Sequence, residues 1–188
     1  MKYLAEKSNT TNNIKKFKII RACSNLNPKI INNFNERKID ILFFEKYSDV
    51  NRRNQGKELL NLLKRTKKHI VTIEYGKYDQ SLIKYLANNS KFVIYFSFYD
   101  TGAIGLKEIQ NYGVISFTHQ EDLIIDNETC FYIPEMKNEF NMKMASNKII
   151  NIIDLFSKKN PNSKIIAKKN QMINNCRNSL KDLCCSLV

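Results

Sequence analysis

Glycine is scarce in this chain of 188 residues: there are five, and all of them fall between Gly56 and Gly113. A backbone with so few positions free to take left-handed or crowded conformations has gathered them where its shape matters most. Long apolar runs are missing as well. No stretch approaches the ~20 apolar residues that cross a bilayer, and the N-terminus lacks the apolar core of a secretory signal. A protein without a membrane span, working in the cytoplasm, is therefore expected. The cysteines (Cys23, Cys130, Cys176, Cys184 and Cys185) are odd in number and form no Cys-x-x-Cys pair. That spacing speaks against a zinc site or a disulfide framework and for a reducing compartment. Histidine is confined to His69 and His119; each lies beside an expected strand, where a structural role is the commoner one. Acidic residues are outnumbered, 18 Asp and Glu against 31 Lys and Arg, which leaves a formal charge of +13. Such an excess suits nucleic acid, an anionic surface or a phosphorylated substrate. Lys and Asn are scattered along the whole chain, however, so the excess reads first as a compositional bias of the solvated surface. A polyanion footprint requires clustering.

What is present is an alternation of apolar runs and helical patterns. Residues 1–16 are polar and read as a loose N-terminal arm; residues 17–188 read as a single domain, or as one half of a two-domain enzyme. A short strand is expected at 17–22 and a helical or irregular connection at 28–35. The run KIDILFFEKY at 38–47 reads as a strand covered on both faces. A polar turn, SDVNRRNQ, leads to a helix over 56–65 with Leu59, Leu60, Leu62 and Leu63 on its buried side. A strand at 69–75 and a helix at 79–88 follow, and then the strand 92–97, apolar and aromatic and expected at the sheet centre. Asp100 or Thr101 suits the cap of the next helix, and Gly113 suits its C-terminus. Strands at 114–118 and 130–133, a loop at 135–143, and helices at 144–158 and 162–184 complete the pattern. Strands alternating with helices at these spacings predict an α/β fold, a Rossmann-like open parallel sheet with helices on both faces and C-terminal helices.

The turn after residue 97 carries the chemistry. Backbone N–H groups of Gly102, Ala103, Ile104 and Gly105 at a helix start are orphan donors aligned with the helix dipole, suited to a diphosphate. The stretch Asp100-Thr-Gly-Ala-Ile-Gly-Leu-Lys-Glu108-Ile-Gln-Asn-Tyr-Gly113 places two acids at a fixed separation between two strands, with a glycine five residues beyond the second. In this it resembles the C-terminal, donor-binding domain of GT-B glycosyltransferases, in particular the retaining group that includes glycogen and sucrose synthases and phosphatidylinositol mannosyltransferases. The likeness extends weakly over about residues 38–180. It departs from that group in having Asp at the first acidic position in place of Glu. Glycines also stand at 102 and 105, where relatives place one at the position of Ala103.

The resemblance implies a glycosyltransferase, or its donor-binding half working with a separate acceptor-binding domain or protein, that uses a nucleotide-diphosphate sugar and needs no metal or further cofactor. Asp100 would face the transferred sugar as the catalytic acid group, and Glu108 would accept hydrogen bonds from the ribose hydroxyls. Lys46, with Arg52 or Arg53, would neutralise the leaving diphosphate. Tyr75 and Tyr99, at strand ends, are placed to stack on the base. Each residue also has a plainer role open to it: Asp100 as an N-cap, Glu108 as an exposed helix residue, the cations as solvated surface, the tyrosines as strand-end packing. An alternative function is a non-catalytic basic α/β module that binds nucleic acid or another polyanion. Nucleic acid is the less expected partner, because the aromatic residues lie in apolar strands and are not interleaved with basic ones.

Overall fold

The computed structural model describes residues 31–47, 49–97, 104–119, 129–137, 141–158 and 161. Five strands, β1 (Ile39–Lys46), β2 (Ile70–Glu74), β3 (Ser90–Ser97), β4 (Ile115–Thr118) and β5 (Cys130–Tyr132), form one sheet in the order β2-β1-β3-β4-β5. Every neighbouring pair is parallel. The helices are α1 (Val50–Lys64), α2 (Gln80–Asn89), α3 (Ile104–Gln110) and α4 (Met142–Ser157), with short 3-10 turns at Phe34–Glu36 and Pro134–Lys137. This is the expected Rossmann-like α/β architecture. The expected arm, the strand at 17–22, the catalytic turn at 98–103 and the last helix at 162–184 lie outside the described residues.

Side chains of β1 and β3 alternate between two cores, as the two-residue period of a strand dictates. Ile41 and Phe43 of β1 join Phe92, Ile94 and Phe96 of β3 against Leu59 and Leu63 of α1 and Ile149 and Ile153 of α4. Leu42 and Phe44, with Val93 and Tyr95, face Ile83 and Leu86 of α2 and Leu106 and Ile109 of α3. A sheet covered on both sides needs strands without polar alternation, which is why IDILFFEK and FVIYFS read as continuous apolar runs. Among the described residues no helix is long and apolar enough to cross a membrane.

Helix α1 begins six residues earlier than the sequence suggests, at Val50 instead of Gly56. The Asp49 carboxylate accepts the Arg52 backbone N–H and caps the helix, so the polar stretch taken for a turn is its exposed first turns. Gly56 is then a mid-helix residue, and its reason is contact: a Cβ there would lie 2.5 Å from the ring of Tyr47. Gly113 behaves as expected, with φ of 70° just after α3 and its N–H donated to the Gln110 carbonyl. The loop expected at 135–143 is in part the turn Pro134–Lys137, and α4 starts at Met142.

The amino edge of the sheet is closed by a buried arginine. Arg37 is 3 % exposed and donates to the carbonyls of Asn32, Ser90, Gly113 and Tyr112 at 2.7–3.1 Å. It thereby ties the starts of β1 and β3 to the end of α3. Burial lowers its pKa to about 10, so it stays charged at neutral pH. Nearby, Asp40 accepts the His69 N–H and the Lys91 ammonium, each at 2.9 Å. Burial pushes this carboxyl up, but the His69 N–H, Lys91 and Lys68 outweigh it and hold the group below its usual range. The His69 ring sits 2.8 Å from the Lys38 carbonyl, a structural place for that histidine.

Candidate functional site

Strand order fixes where a ligand can enter. From the carboxyl end of β1 the chain passes to α1 on one face of the sheet, and from that of β3 it passes on to α3 on the other. Between these diverging connections a parallel sheet opens a crevice, the usual seat of nucleotide phosphates in such folds.

The β1 side of the crevice is cationic and aromatic. Lys46 ends β1 with its ammonium 4.4 Å from the centre of the Tyr75 ring. That ring, 55 % exposed at the end of β2, meets Phe44 edge-on at 6.4 Å. Tyr47 packs edge-on against Phe96 at 6.1 Å and fills the space where a Cβ at Gly56 would lie, with the Arg53 guanidinium 6.0 Å from its ring centre. Burial, then the Glu45 carboxylate beside it, raises the Tyr47 hydroxyl pKa; burial likewise raises Glu45, against the pull of the Tyr47 hydroxyl. Tyr47 is therefore a neutral wedge between β1, β3 and α1.

Arg52 joins two segments. Its Nη1 donates to Gln55 Oε1 at 2.7 Å and to the Lys137 carbonyl at 2.9 Å, bringing the turn after β5 to the first turn of α1. The Lys137 ammonium lies 5.6 Å from the centre of the Tyr132 ring. Below them His119, the residue after β4, is 2 % exposed and tilted against Phe96 at 5.8 Å. Burial first, then the Arg52 and Lys137 charges, lower its pKa to about 4, against a smaller upward pull from the Ser97 backbone. Ser97 and Thr118, at the ends of β3 and β4, are fully buried polar residues on the same edge.

The opposite wall is α3, whose backbone begins at Ile104. A Cβ added at Gly105 would meet Phe44 Cζ at 3.7 Å and Tyr95 Oη at 3.9 Å, ordinary contacts, so packing does not demand glycine there. Glu108 is half-buried; burial raises its carboxyl pKa against the pull of Lys84 on α2, and burial, then the nearby Glu108, raises that of the Tyr112 hydroxyl. It thus belongs to the α2–α3 face, across the sheet from Arg52 and His119. Of the residues singled out from sequence, the structure brings together Lys46 with Tyr75, and Arg53 with Tyr47. Arg52 instead keeps company with His119 and Lys137, neither of which the sequence reading placed in the site. Tyr99, Asp100, Gly102 and Ala103 lie outside the described residues. The signal for His119 was its position directly after a buried strand; Lys137, in a segment read as loop, carried none. Among the described residues no group of three His, Cys, Asp or Glu side chains could hold a metal ion.

No family model matches this chain. Neither the curated proteins nor the solved structures compared with it yield a match.

Proposed function

We propose that the chain is a glycosyltransferase of GT-B type, or the donor-binding half of one, which holds a nucleotide-diphosphate sugar at the carboxyl edge of its sheet. The observation that supports this reading is the strand order, in which the chain leaves β1 and β3 for opposite faces of the sheet, with Lys46 over the Tyr75 ring at the carboxyl end of β1. Lys46 and Arg53 lie over aromatic rings, which hold positive charge at this edge. In this scheme the cations meet the negative charge that builds on the leaving diphosphate as its bond to the anomeric carbon breaks. Asp100 would stabilise the positive charge that develops on the sugar, Glu108 would hold the ribose, and Tyr75 would flank the base. Side chains supply the countercharge, so the reaction as proposed runs without a metal, in the cytoplasm, on an acceptor held by another domain or protein.

Thermal denaturation with UDP- and GDP-sugars tests the reading. A ligand at a hundredfold excess over its Kd stabilises the folded state by about 2.7 kcal/mol, a shift of several degrees that Glu108→Ala should reduce. If no nucleotide sugar moves the transition at millimolar concentration, the proposal fails. If oligonucleotides move it instead, with an effect that fades steeply with salt, the polyanion-binding alternative replaces it.

A further inference from the structure

Around the enclosed Arg37, the amino edge of the sheet gathers cations. Lys38 precedes β1, Arg65, Lys67 and Lys68 lie in the turn from α1 into β2, Lys91 is the second residue of β3, and Lys158 follows α4. Hydrogen bonds and an ion pair bring these segments to one place. Asp40 accepts the His69 N–H and the Lys91 ammonium, each at 2.9 Å; the His69 ring lies 2.8 Å from the Lys38 carbonyl, and Lys68 meets Asp154 of α4 at 2.9 Å. Lys158 follows Asp154 by one helical turn and so shares its side of α4. Asp40 and Asp154 thus each hold one lysine, while Lys38, Arg65, Lys67 and Lys158 are exposed and form no ion pair among the described residues. Glu36, just before Lys38 in the chain, can offset only one of these charges.

We infer that this edge binds the phosphate backbone of a nucleic acid, at the end of the strands opposite to the donor crevice and without dependence on it. Basic residues that are scattered along the sequence become, in the fold, the cluster that an electrostatic footprint requires. The helix dipole gives Arg65 and Lys158 another reason to stand at helix C-termini, but it does not extend to Lys38, which precedes a strand. Nor does it explain Lys67. That residue has φ of 59°, the one positive value outside glycine among the described residues, where Gly or Asn is less strained. A chain rich in asparagine keeps a lysine there instead, as a requirement for charge at an exposed turn would dictate. Among the described residues none of the four unpaired cations lies over an aromatic ring, so recognition is by charge, and phosphate contacts hold a strand without reading its sequence. An anionic bilayer fits less well. Segments that seat on lipid sink apolar side chains beside their cations, and Leu155 is the one exposed large apolar side chain near this edge among the described residues.

The test is fluorescence anisotropy of the full chain with a labelled single-stranded RNA of mixed sequence, about 20 nucleotides long, read at about 50 and 200 mM salt. Four phosphate contacts on a single strand predict a loss of affinity of roughly fiftyfold between these salt concentrations. Arg65→Gln with Lys67→Asn removes two of the contacts and should reduce the loss to about sevenfold. Lys57→Gln with Lys143→Gln removes the same charge from exposed positions elsewhere on α1 and α4 and should keep the dependence of the parent. Asn suits the backbone at position 67 and Arg65 is exposed, so the first pair leaves the fold intact. The inference is overturned if the RNA does not bind below about 100 μM at the lower salt, if the two double variants behave alike, if polyglutamate displaces the label as well as unlabelled RNA does, or if phosphatidylserine vesicles bind and RNA does not. RNA and a nucleotide sugar should bind together, because they occupy opposite ends of the strands; mutual exclusion would overturn the inference as well. Failure of nucleotide sugars alone would remove the glycosyltransferase reading and leave this surface standing.

Discussion

At the amino edge of the sheet Arg37 directs its donors to four main-chain carbonyls, whereas at the carboxyl edge Lys46, Arg53 and Lys137 lie over tyrosine rings. A guanidinium enclosed by carbonyls has nothing left to offer a solute and serves only to join chain segments. An ammonium over a ring is held by a weaker and less directional contact. The same residue types thus do opposite work at the two ends of the same strands, and burial, not charge, separates the roles.

The comparison breaks most easily at Arg37. Replacing it with Met strands four carbonyls and should cost about 3–5 kcal/mol in denaturant unfolding, with nucleotide-sugar affinity of the folded fraction unchanged. A loss below about 1 kcal/mol would erase the distinction between the edges. At the other edge the large effect is in acid. The pKa of His119 is about 4 in the folded chain against an ordinary 6.5, so the unfolded chain takes up the proton first. Stability contributed by the neutral ring is complete above about pH 6.5 and is lost as pH falls towards 4, by up to about 3 kcal/mol. Urea midpoints measured from pH 7 to 4 should fall less steeply in His119→Gln than in the parent.

Gly56→Ala comes next. Alanine gains about 1 kcal/mol in helix propensity, but its Cβ would invade the Tyr47 ring at 2.5 Å, and overpacking of this kind costs about 1–3 kcal/mol. The net result should be destabilising in the parent and stabilising once Tyr47→Leu has removed the ring, a reversal of sign that a double-mutant cycle reads directly. The smallest effect on folding is that of Lys46→Ala. Loss of a partly exposed cation–ring contact is worth about 0.5–1 kcal/mol, while nucleotide-sugar affinity should drop several-fold by calorimetry. Equal losses in both would place Lys46 with Arg37 as a structural cation.

Much of the fold was legible in the sequence because a doubly covered parallel sheet writes itself as apolar runs. The runs at 38–47 and 92–97 mark β1 and β3 almost to the residue, and leucine spacing marks the buried stripe of α1. Polar residues that are structural for private reasons were harder to read. Ser90 opens β3 because its hydroxyl bonds the Leu86 carbonyl of the preceding helix, and the Asp49 cap hid two turns of α1 inside a polar stretch. In the site, Lys46 and Tyr75 could be placed because each ends a strand. The meeting of Arg52, His119 and Lys137 could not, since it depends on the lateral order of β1, β3, β4 and β5, which periodicity does not encode. Arg37 offered no signal at all, as one arginine among many basic residues.

Because every strand pair is parallel, no two strands of this sheet can zip together from a hairpin. The nearest pairing in sequence along β1, Ile41 with Ile70, requires α1 to be folded back first, and the central pairing of Ile39 with Ser90 encloses a second helix as well. Closing such loops loses chain entropy before any contact repays it. By this measure, among strand pairs joined through a described helix, the β3–α3–β4 segment, whose pairing of Phe92 with Ile115 closes a shorter loop, is the expected nucleus, with β1 docking onto it afterwards. Until β1 arrives, the Ile94 and Tyr95 flank of β3 stands open, and in that interval the protein is most exposed to self-association.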